Sequence, residues 1–283
     1  MVITTTELIK RFLVTVNREN KTVGLVPTMG YLHKGHLSLI KKAKEENDLV
    51  VVSIFVNPTQ FGPNEDFETY PRDILNDTNL AYKAGADIIF NPNVCDLYPE
   101  GSNTWVNVEG DITKVLCGAS RPTHFRGVTT VVNMLFNIVE PDRAYFGQKD
   151  AQQVAVLTKM VNDLHMNVEL VICPIVREAD GVAMSSRNSY LSEEERAQAV
   201  ILNEALQLAC KAYKGGERSV ATLTQLIETK IATMPLAEID YVSIYSYPSL
   251  AQIEKIIDTA IIAVAVKFGK TRLIDKVILK KRN

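Results

Sequence analysis

The sequence contains near-continuous apolar runs, and these limit the fold to one with a sheet that is buried on both faces. The longest run, LVVVSIFV at Leu49–Val56, shows no alternation of polar and apolar residues. Such runs are typical of parallel strands covered by helices on both sides, because a half-exposed antiparallel strand alternates in polarity. Shorter runs of the same kind lie at Thr22–Pro27, Ala86–Phe90, Arg143–Phe146 and Asn167–Cys173.

Segments with helical periodicity lie between these runs. They place apolar residues at i, i+3 and i+4 spacing over residues 37–44, 72–84, 124–139 and 150–164. Strands that alternate with helices predict a Rossmann-like α/β domain with a doubly wound parallel sheet, which we place at residues 1–178. In a domain of this class the ligand crevice lies beyond the carboxyl ends of the strands.

The rest of the chain, residues 179–283, has a different order of elements. Ser192 and Glu195 form a capping box that is expected to open a helix. The apolar face of that helix comprises Val200, Ile201, Ala205, Leu208 and Ala209. A second helix over Val220–Ile231 precedes three strand-like runs at Ile239–Ser246, Ala260–Phe268 and Thr271–Leu279. Helices followed by strands predict a smaller α+β C-terminal domain.

Composition and charge argue against several classes of protein. The net charge is only −2, so the chain lacks the basic surface of a nucleic-acid-binding protein. No segment reaches the roughly 18 apolar residues that a membrane helix needs. The four cysteines include no CxxC pair, and the N-terminal residues lack the apolar core of a signal peptide. We therefore expect a reduced, cytoplasmic protein with neither nucleic acid nor membrane as a partner.

Two of the four histidines lie three residues apart in HKGH, where the Thr22–Pro27 run meets the next helix. A helix N-terminus offers unpaired N–H groups that suit a phosphate, and the spacing places His33 and His36 on one side of the helix. Imidazoles held there can donate hydrogen bonds to phosphoryl oxygens in a transition state. The motif alone favours two ordinary histidines, one on the surface and one half-buried, and a zinc pair is disfavoured because the Glu and the i, i+4 spacing of HExxH are lacking.

Two further segments add to this pattern. FGQKDAQQ, residues 146–153, follows a strand and opens a helix, which puts Lys149 at the carboxyl edge of the sheet. MSSRN, residues 184–188, brings hydroxyl groups and an arginine together in a polar loop that could hold phosphate oxygens. Alternatively, the first segment is an ordinary helix start capped by Asp150, and the second is a linker. GKT at 269–271 is no P-loop, because Val264 stands where that motif requires glycine, and a turn between strands is expected there.

Five ordered motifs resemble the pantothenate synthetase (pantoate–β-alanine ligase) family along nearly the whole chain. They are PTMGYLHKGH, VNPTQFGPNEDFETYPRD, RPTHFRGV, YFGQKDAQQ and VREADGVAMSSRNSYL. In that family HxGH is a version of the HIGH signature of nucleotidyltransferases, and MSSRN takes the place of their KMSKS-type loop. The resemblance implies a two-step reaction, in which ATP adenylates pantoate with release of pyrophosphate and β-alanine then displaces AMP.

The resemblance also implies roles for individual residues. His33, His36, Lys149 and Arg187 are expected to be catalytic, and His36 is the residue usually assigned as proton donor. The expected ATP-binding residues are Met29, Gly30, Tyr31, Leu32, His33, Lys34, Gly35, His36, Gly147, Gln148, Lys149, Asp150, Val176, Met184, Ser185, Ser186 and Arg187. Pantoate and β-alanine are expected at Gln60, pantoate also at Gln153, with Asn57 and Arg121 near the same site.

Magnesium is expected with ATP, because the charge of the triphosphate must be neutralised during transfer. Relatives often carry an acidic pair after YPR, whereas this chain has Asn76 beside Asp77. Asp77 is therefore the one candidate metal ligand from that pair. The resemblance further implies a homodimer and a C-terminal domain that closes over the ATP site.

Three alternatives remain open. A HIGH-type nucleotidyltransferase could act on a phosphorylated acceptor, but it leaves unexplained the neutral amides of Gln60 and Gln153, which suit a small hydroxy acid. A tRNA-charging enzyme is disfavoured by the net charge of −2. A catalytically inactive nucleotide-binding module would bind ATP without releasing AMP in response to β-alanine.

Overall fold

The computed structural model describes residues 1–16, 20–63 and 65–281. The chain divides into two compact units. The first comprises Met1–Thr113 and Gly118–Pro174, and the second comprises Lys114–Cys117 and the residues from Ile175 onward. The main division therefore precedes residue 178, where the sequence pattern places the domain boundary. Nothing in the pattern signals that residues 114–117 group with the second unit.

The first unit is built around a six-stranded sheet whose neighbouring strands are all parallel. Its strands are β1 (Val2–Ile3), β2 (Val23–Thr28), β3 (Leu49–Ile54), β4 (Ile88–Phe90), β5 (Arg143–Gly147) and β6 (Glu169–Cys173). They lie side by side in the order β1-β4-β3-β2-β5-β6. This order confirms the predicted doubly wound sheet. Strand β1 was not predicted, because two residues are too few to show a pattern.

The helices of this unit pack against the sheet and against one another. The first five in chain order are α1 (Thr6–Thr15), α2 (Lys34–Glu46), α3 (Ile74–Ala84), α4 (Val94–Leu97) and the short α5 (Cys117–Ser120). They are followed by α6 (His124–Val139) and α7 (Ala151–Asp163). Helix α2 packs on β2, β3 and α3, whereas α6 packs on β2, α1 and α7. Residues in the middle of β3 are fully buried as a result, as its unbroken apolar run predicts.

Helix α1 is a long helix of this unit that was not predicted. Only Ile9 and Leu13 are buried on it. Leu8, Ile9, Phe12 and Leu13 nevertheless recur at helical spacing, so the periodicity of the sequence could have indicated this helix.

The second unit combines helices with a three-stranded antiparallel sheet, which confirms the predicted α+β class. Its helices are α8 (Glu193–Gln198), α9 (Ile201–Lys214) and α10 (Val220–Ile231), and its strands are β7 (Ala237–Ser246), β8 (Ala260–Phe268) and β9 (Thr271–Leu279). The capping box of Ser192 and Glu195 is present, but a turn at residues 199–200 divides the single predicted helix into α8 and α9. The residues between β8 and β9 form a turn, as predicted for the GKT triplet.

Both units have buried apolar cores of their own. Alternate residues of β2 and β3, including Val26, Val50 and Val52, pack with Leu39 and Ile40 of α2 in the first unit. In the second unit the central strand β8 is buried along most of its length. No helix within the described parts of the chain is long and apolar enough to cross a membrane.

Candidate active site

The order of strands reverses between β2 and β5, which are neighbours in the sheet. Loops that leave the carboxyl ends of two such strands diverge and open a crevice, which is where α/β folds bind their ligands. The turn at residues 29–33 follows β2, and the turn Gln148–Asp150 follows β5. Two of the predicted nucleotide-binding segments therefore flank the same crevice.

A buried carboxylate from α3 holds the turn after β2. Asp77 is 1% exposed, and its two oxygens accept hydrogen bonds from the backbone N–H groups of Tyr31 (2.8 Å) and Leu32 (2.7 Å). Burial raises the pKa of Asp77, and these two N–H groups oppose the shift. Gly30 has a φ of +84°, and a Cβ at this position would lie 2.9 Å from Asp77 Oδ2. Both the backbone conformation and the approach of Asp77 therefore require glycine at residue 30.

This geometry gives Asp77 a role other than that of a metal ligand, and its assignment to a metal stays a prediction. Both oxygens of its carboxylate are engaged by backbone N–H groups, so Asp77 serves to hold the turn. Across residues 1–16, 20–63 and 65–281, no group of three or more His, Cys, Asp or Glu side chains is arranged to hold a metal ion. The donor set of these residues does not fit a Mg²⁺ ion bound mainly by protein.

Asp77→Asn is expected to lower the free energy of unfolding by about 1–3 kcal/mol, because an amide can accept only one of the two N–H groups and leaves the other unsatisfied. Asp73→Asn is the matched control on the same helix. Asp73 caps α3 by accepting from Asn76 N–H, and asparagine caps equally well, so this control should change the value by less than about 0.5 kcal/mol. Urea unfolding measures both. An equal loss of unfolding free energy in the two variants, or restored stability of Asp77→Asn on addition of Mg²⁺, would contradict this role.

The two histidines of the HKGH motif cap the N-terminus of α2. His33 Nδ1 accepts from the Gly35 N–H (3.1 Å), and the His33 N–H donates to His36 Nδ1 (3.3 Å). The two rings stack with their centroids 4.0 Å apart, which confirms the expected placement on one side of the helix. Because Nδ1 of each ring accepts a hydrogen bond, the proton of each neutral imidazole lies on Nε2.

His36 is an uncharged imidazole at neutral pH. Burial lowers its pKa well below the usual value, and the nearby His33 and Lys149 lower the pKa further. The Lys149 side chain is 21% exposed, and its Nζ lies 3.8 Å from Asp150 Oδ1. Imidazole N–H donors, a largely buried ammonium group and a helix N-terminus thus face the same crevice. This combination suits the oxygens of a phosphate.

Gln60 is brought to the same crevice by the neighbouring strand β3. It ends the 3₁₀ turn Pro58–Gln60 and is 9% exposed. Its Oε1 accepts from Asn57 Nδ2 (3.2 Å), and its Nε2 donates to Met29 Sδ (2.9 Å). Gln153 lies half-buried in the first turn of α7, after β5. The neutral amide of Gln60 therefore contacts a residue of the predicted nucleotide-binding turn.

Arg121, which the family resemblance places near the substrate, is engaged within the protein. Its Nε donates to Glu65 Oε1 (2.6 Å), and its Nη2 donates to the backbone carbonyl of Gln60 (3.1 Å). The same carbonyl lies 2.8 Å from His124 Nδ1, while His124 Nε2 lies 3.1 Å from Arg121 Nη1. Since a carbonyl only accepts, Nδ1 of His124 carries the proton. Arg121 and His124 thus hold the backbone of Gln60.

His124 should make the protein sensitive to acid. Burial and the Arg121 charge lower its pKa to about 4, against smaller opposing effects of the Gln60 carbonyl, Glu65 and Asp150. The unfolded chain, with a histidine pKa of about 6.5, then binds a proton before the folded protein does. The contribution of His124 to the free energy of unfolding is therefore fully present above about pH 6.5 and is lost as the pH falls towards about 4. At about pH 4.5 the loss from this group is on the order of 2–3 kcal/mol.

The measurement is urea unfolding at about pH 7 and pH 4.5 of the wild type, His124→Gln and the exposed control His165→Gln. We expect the first variant to lose less stability on acidification than the wild type does, and the control to lose as much. An equal loss in all three proteins would exclude His124 as a source of the acid sensitivity.

The second unit contains the remaining predicted nucleotide-binding residues. The Met184 N–H donates to the Val176 carbonyl (3.0 Å), so these two residues pair across a short hairpin. Ser185 caps the 3₁₀ turn Ser186–Tyr190, and its hydroxyl accepts from the Arg187 N–H (3.2 Å). A bidentate ion pair between Arg177 and the buried Asp275 of β9 fixes the base of the hairpin. The structure thus brings Val176 together with the MSSR segment inside this unit.

Sequence reasoning missed the residues that support these segments. The turn-holding role of Asp77 had one signal, since Asp77, Ala81 and Ala84 share the buried face of α3 and a carboxylate is unusual there. His124 lies in the RPTHFRGV motif, but nothing in the motif indicates that its partner is the carbonyl of Gln60. Asp275 had no signal, because its partner Arg177 is 98 residues away.

Comparisons with known proteins agree with one another. The family model for Pantoate-beta-alanine ligase matches residues 1–278. Pantothenate synthetase of Acetivibrio thermocellus is 57% identical over 279 residues, which are 99% of each chain. The crystal structure of pantothenate synthetase from Thermus thermophilus has a TM-score of 0.93 at 45% identity and covers 98% of each chain. Pantoate-beta-alanine ligase from Francisella tularensis, complexed with beta-gamma ATP and beta-alanine, has a TM-score of 0.81 at 34% identity and covers 98% of this chain and 97% of that one.

Proposed function

The chain belongs to the pantoate-beta-alanine ligase family, and from that premise we propose how its residues carry out the reaction. The protein is a ligase that makes pantothenate from pantoate and β-alanine, with ATP as a substrate. We propose that it does so through a pantoyl adenylate. One observation carries this proposal: the Nε2–H groups of His33 and His36 lie at the N-terminus of α2, and Lys149 is close enough to lower the pKa of His36.

The adenylate solves a chemical problem. A free carboxylate has no leaving group that an amine can displace, whereas an acyl adenylate has AMP. In the first step a carboxylate oxygen of pantoate bonds to the α-phosphorus of ATP, and pyrophosphate departs with the electrons of the broken P–O bond. In the second step the neutral amine of β-alanine bonds to the acyl carbon, the bond to AMP breaks, and the nitrogen loses a proton.

The crevice residues support the first step electrostatically. Negative charge moves onto the leaving pyrophosphate and stays high on the oxygens of the α-phosphoryl group, where fixed donors lower the barrier. His36 is a neutral imidazole, so we assign it a hydrogen bond from Nε2–H to a phosphoryl oxygen. Lys149 supplies the positive charge. The N-terminus of α2 adds its backbone N–H groups and the positive end of the helix dipole.

The remaining contacts with ATP are proposed from the family resemblance. Residues 29–36 would bind the triphosphate together with residues 147–150, of which Asp150 would contact the ribose. Val176 and the segment 184–187 would bind ATP from the second unit, with Ser185, Ser186 and Arg187 at the phosphates. Closure of that unit over the bound nucleotide stays a prediction.

Pantoate is proposed to bind at Gln60 and Gln153, with Gln60 also placing β-alanine. The support is that the Gln60 amide is buried next to Met29 of the nucleotide-binding turn, where a small acid would meet the α-phosphate. Asn57 donates a hydrogen bond to the Gln60 side chain and Arg121 donates one to the Gln60 backbone carbonyl, so both hold Gln60 in place. Magnesium, a homodimer and a cytoplasmic location also stay predictions, and no step of the proposed mechanism passes through the metal.

Exchange of labelled pyrophosphate into ATP tests the proposal. An adenylating enzyme is expected to catalyse this exchange with pantoate in the absence of β-alanine, and to release AMP in quantity only when both are present. Release of ADP and phosphate would instead indicate an acyl phosphate. Exchange that requires β-alanine would contradict a separate adenylation step.

A further inference from the structure

The side-chain amide of Asn57 has one orientation, because its neighbours permit no other. Its Nδ2 lies 3.1 Å from the backbone carbonyl of Gly127, and a carbonyl can only accept. Its Oδ1 lies 3.4 Å from the backbone N–H of Thr59, which can only donate. Oxygen and nitrogen of the amide are therefore distinguished by backbone groups of the protein itself.

The orientation of Asn57 determines that of Gln60. Asn57 Nδ2 is a donor, so the atom of Gln60 that lies 3.2 Å from it must be the oxygen Oε1. The Gln60 Nε2 is thereby turned towards the nucleotide-binding turn, where it lies 2.9 Å from Met29 Sδ. A thioether is a weak acceptor for an amide N–H at a position that is only 9% exposed. A substrate oxygen would be a better partner for this donor.

Tyr98 contacts the side-chain oxygen of Asn57. Its hydroxyl group donates to Asn57 Oδ1 over 2.9 Å, alongside the hydroxyl of Thr59 at 3.0 Å. Burial raises the pKa of Tyr98, against opposing contributions from its hydrogen bonds to Thr59 and Asn57, so the phenol stays protonated and able to donate. Tyr98 follows α4, whereas Asn57 follows β3, so the contact joins two loops at the carboxyl edge of the sheet.

We propose that Tyr98 is a positioning residue for the acid substrate, which acts through Asn57 to hold the Gln60 amide with its N–H groups towards that substrate. Gln60 then recognises an acceptor oxygen of pantoate, either of a hydroxyl group or of the carboxylate. The inference rests on the proposed function, because it takes pantoate as the ligand of Gln60. Its consequence falls on pantoate, and on β-alanine so far as Gln60 also places it, but not on ATP, since no residue of the chain Tyr98–Asn57–Gln60 is assigned to ATP.

Steady-state kinetics of Tyr98→Phe test this inference. The variant keeps the aromatic ring and removes one donor to Asn57, so the KM for pantoate is expected to rise about 5-fold, the effect of a typical net hydrogen bond. The KM for ATP and kcat should stay within about 2-fold of the wild type. Tyr82→Phe is the matched control, in a helix of the same unit and away from the crevice, and should change none of these values.

A double-mutant cycle separates positioning from a general structural role. In a Gln60→Ala background the amide is gone, so adding Tyr98→Phe should no longer raise the KM for pantoate. An equal rise in both backgrounds, or a parallel rise in the KM for ATP, would overturn the inference, as would an unchanged KM in the single variant. Wild-type protein without pantoate-dependent AMP release would overturn the proposed function, and this inference with it. Normal wild-type turnover with an unaffected variant overturns the inference alone.

Discussion

Replacing His36 with asparagine is expected to slow adenylate formation by about 10²–10³-fold, the effect of losing one preorganised donor to a transition-state oxygen. Asparagine can still accept the hydrogen bond from the His33 N–H through its Oδ1, in the place of Nδ1, but it has no group at the position of Nε2. The cap of α2 is thereby preserved while the donor to phosphate is lost. Single-turnover release of pyrophosphate with saturating pantoate measures the step directly.

His36→Gln is the informative companion. Glutamine places its amide near the position of Nε2, so we expect it to retain more activity than asparagine does. His165→Asn is the control, because this side chain is exposed after α7. If both His36 variants adenylate pantoate at the wild-type rate, the imidazole N–H does not stabilise the transition state. Loss of folding in both, detected by circular dichroism, would mean that the role of His36 is in the cap.

Lys149→Met is expected to have an effect of similar size, about 10²–10³-fold on the same step, because a positive side chain that is assigned to the phosphates is removed without a large change in length. It should also raise the pKa of His36, since the Lys149 charge is one of the causes that lower it. NMR titration of the His36 ring measures the second effect. Lys159→Met, which breaks an exposed ion pair with Asp163 on α7, is the control and should leave both quantities unchanged.

The two Lys149 readouts test different parts of the account. An unchanged pKa of His36 with a reduced rate would mean that Lys149 acts on ATP but is not close to His36 in solution. A normal rate in Lys149→Met would contradict the assignment of its ammonium group to the phosphates.

Much of this fold could be predicted because its elements are long and strongly patterned. The apolar run at Leu49 gave strand β3, and the i, i+3, i+4 pattern gave α6 with the same bounds that the structure has, His124–Val139. The histidine pair could also be located, because a short motif fixes its position relative to the end of β2 and the start of α2. These are local properties, and the sequence shows local properties directly.

The supporting contacts could not be predicted because they join residues that are far apart in the chain. Asp77 holds Tyr31 and Leu32 across more than 40 residues, and Tyr98 reaches Asn57 across 41. Their partners are backbone groups or amides, which carry no distinctive residue type. The family resemblance places Asp77 at a metal and Arg121 near the substrate, and it gives no sign of the loop-holding contacts that both side chains make in the structure.

The measurement that tests the acyl adenylate most directly is the fate of oxygen from the pantoate carboxylate. Pantoate labelled with ¹⁸O in that group is incubated with ATP, β-alanine and the protein, and the AMP is examined by mass spectrometry. Attack of the carboxylate on the α-phosphorus predicts one ¹⁸O atom in the phosphate of each AMP and one retained in the amide of pantothenate. AMP without the label, or ¹⁸O in inorganic phosphate or pyrophosphate, would contradict attack of the carboxylate on the α-phosphorus.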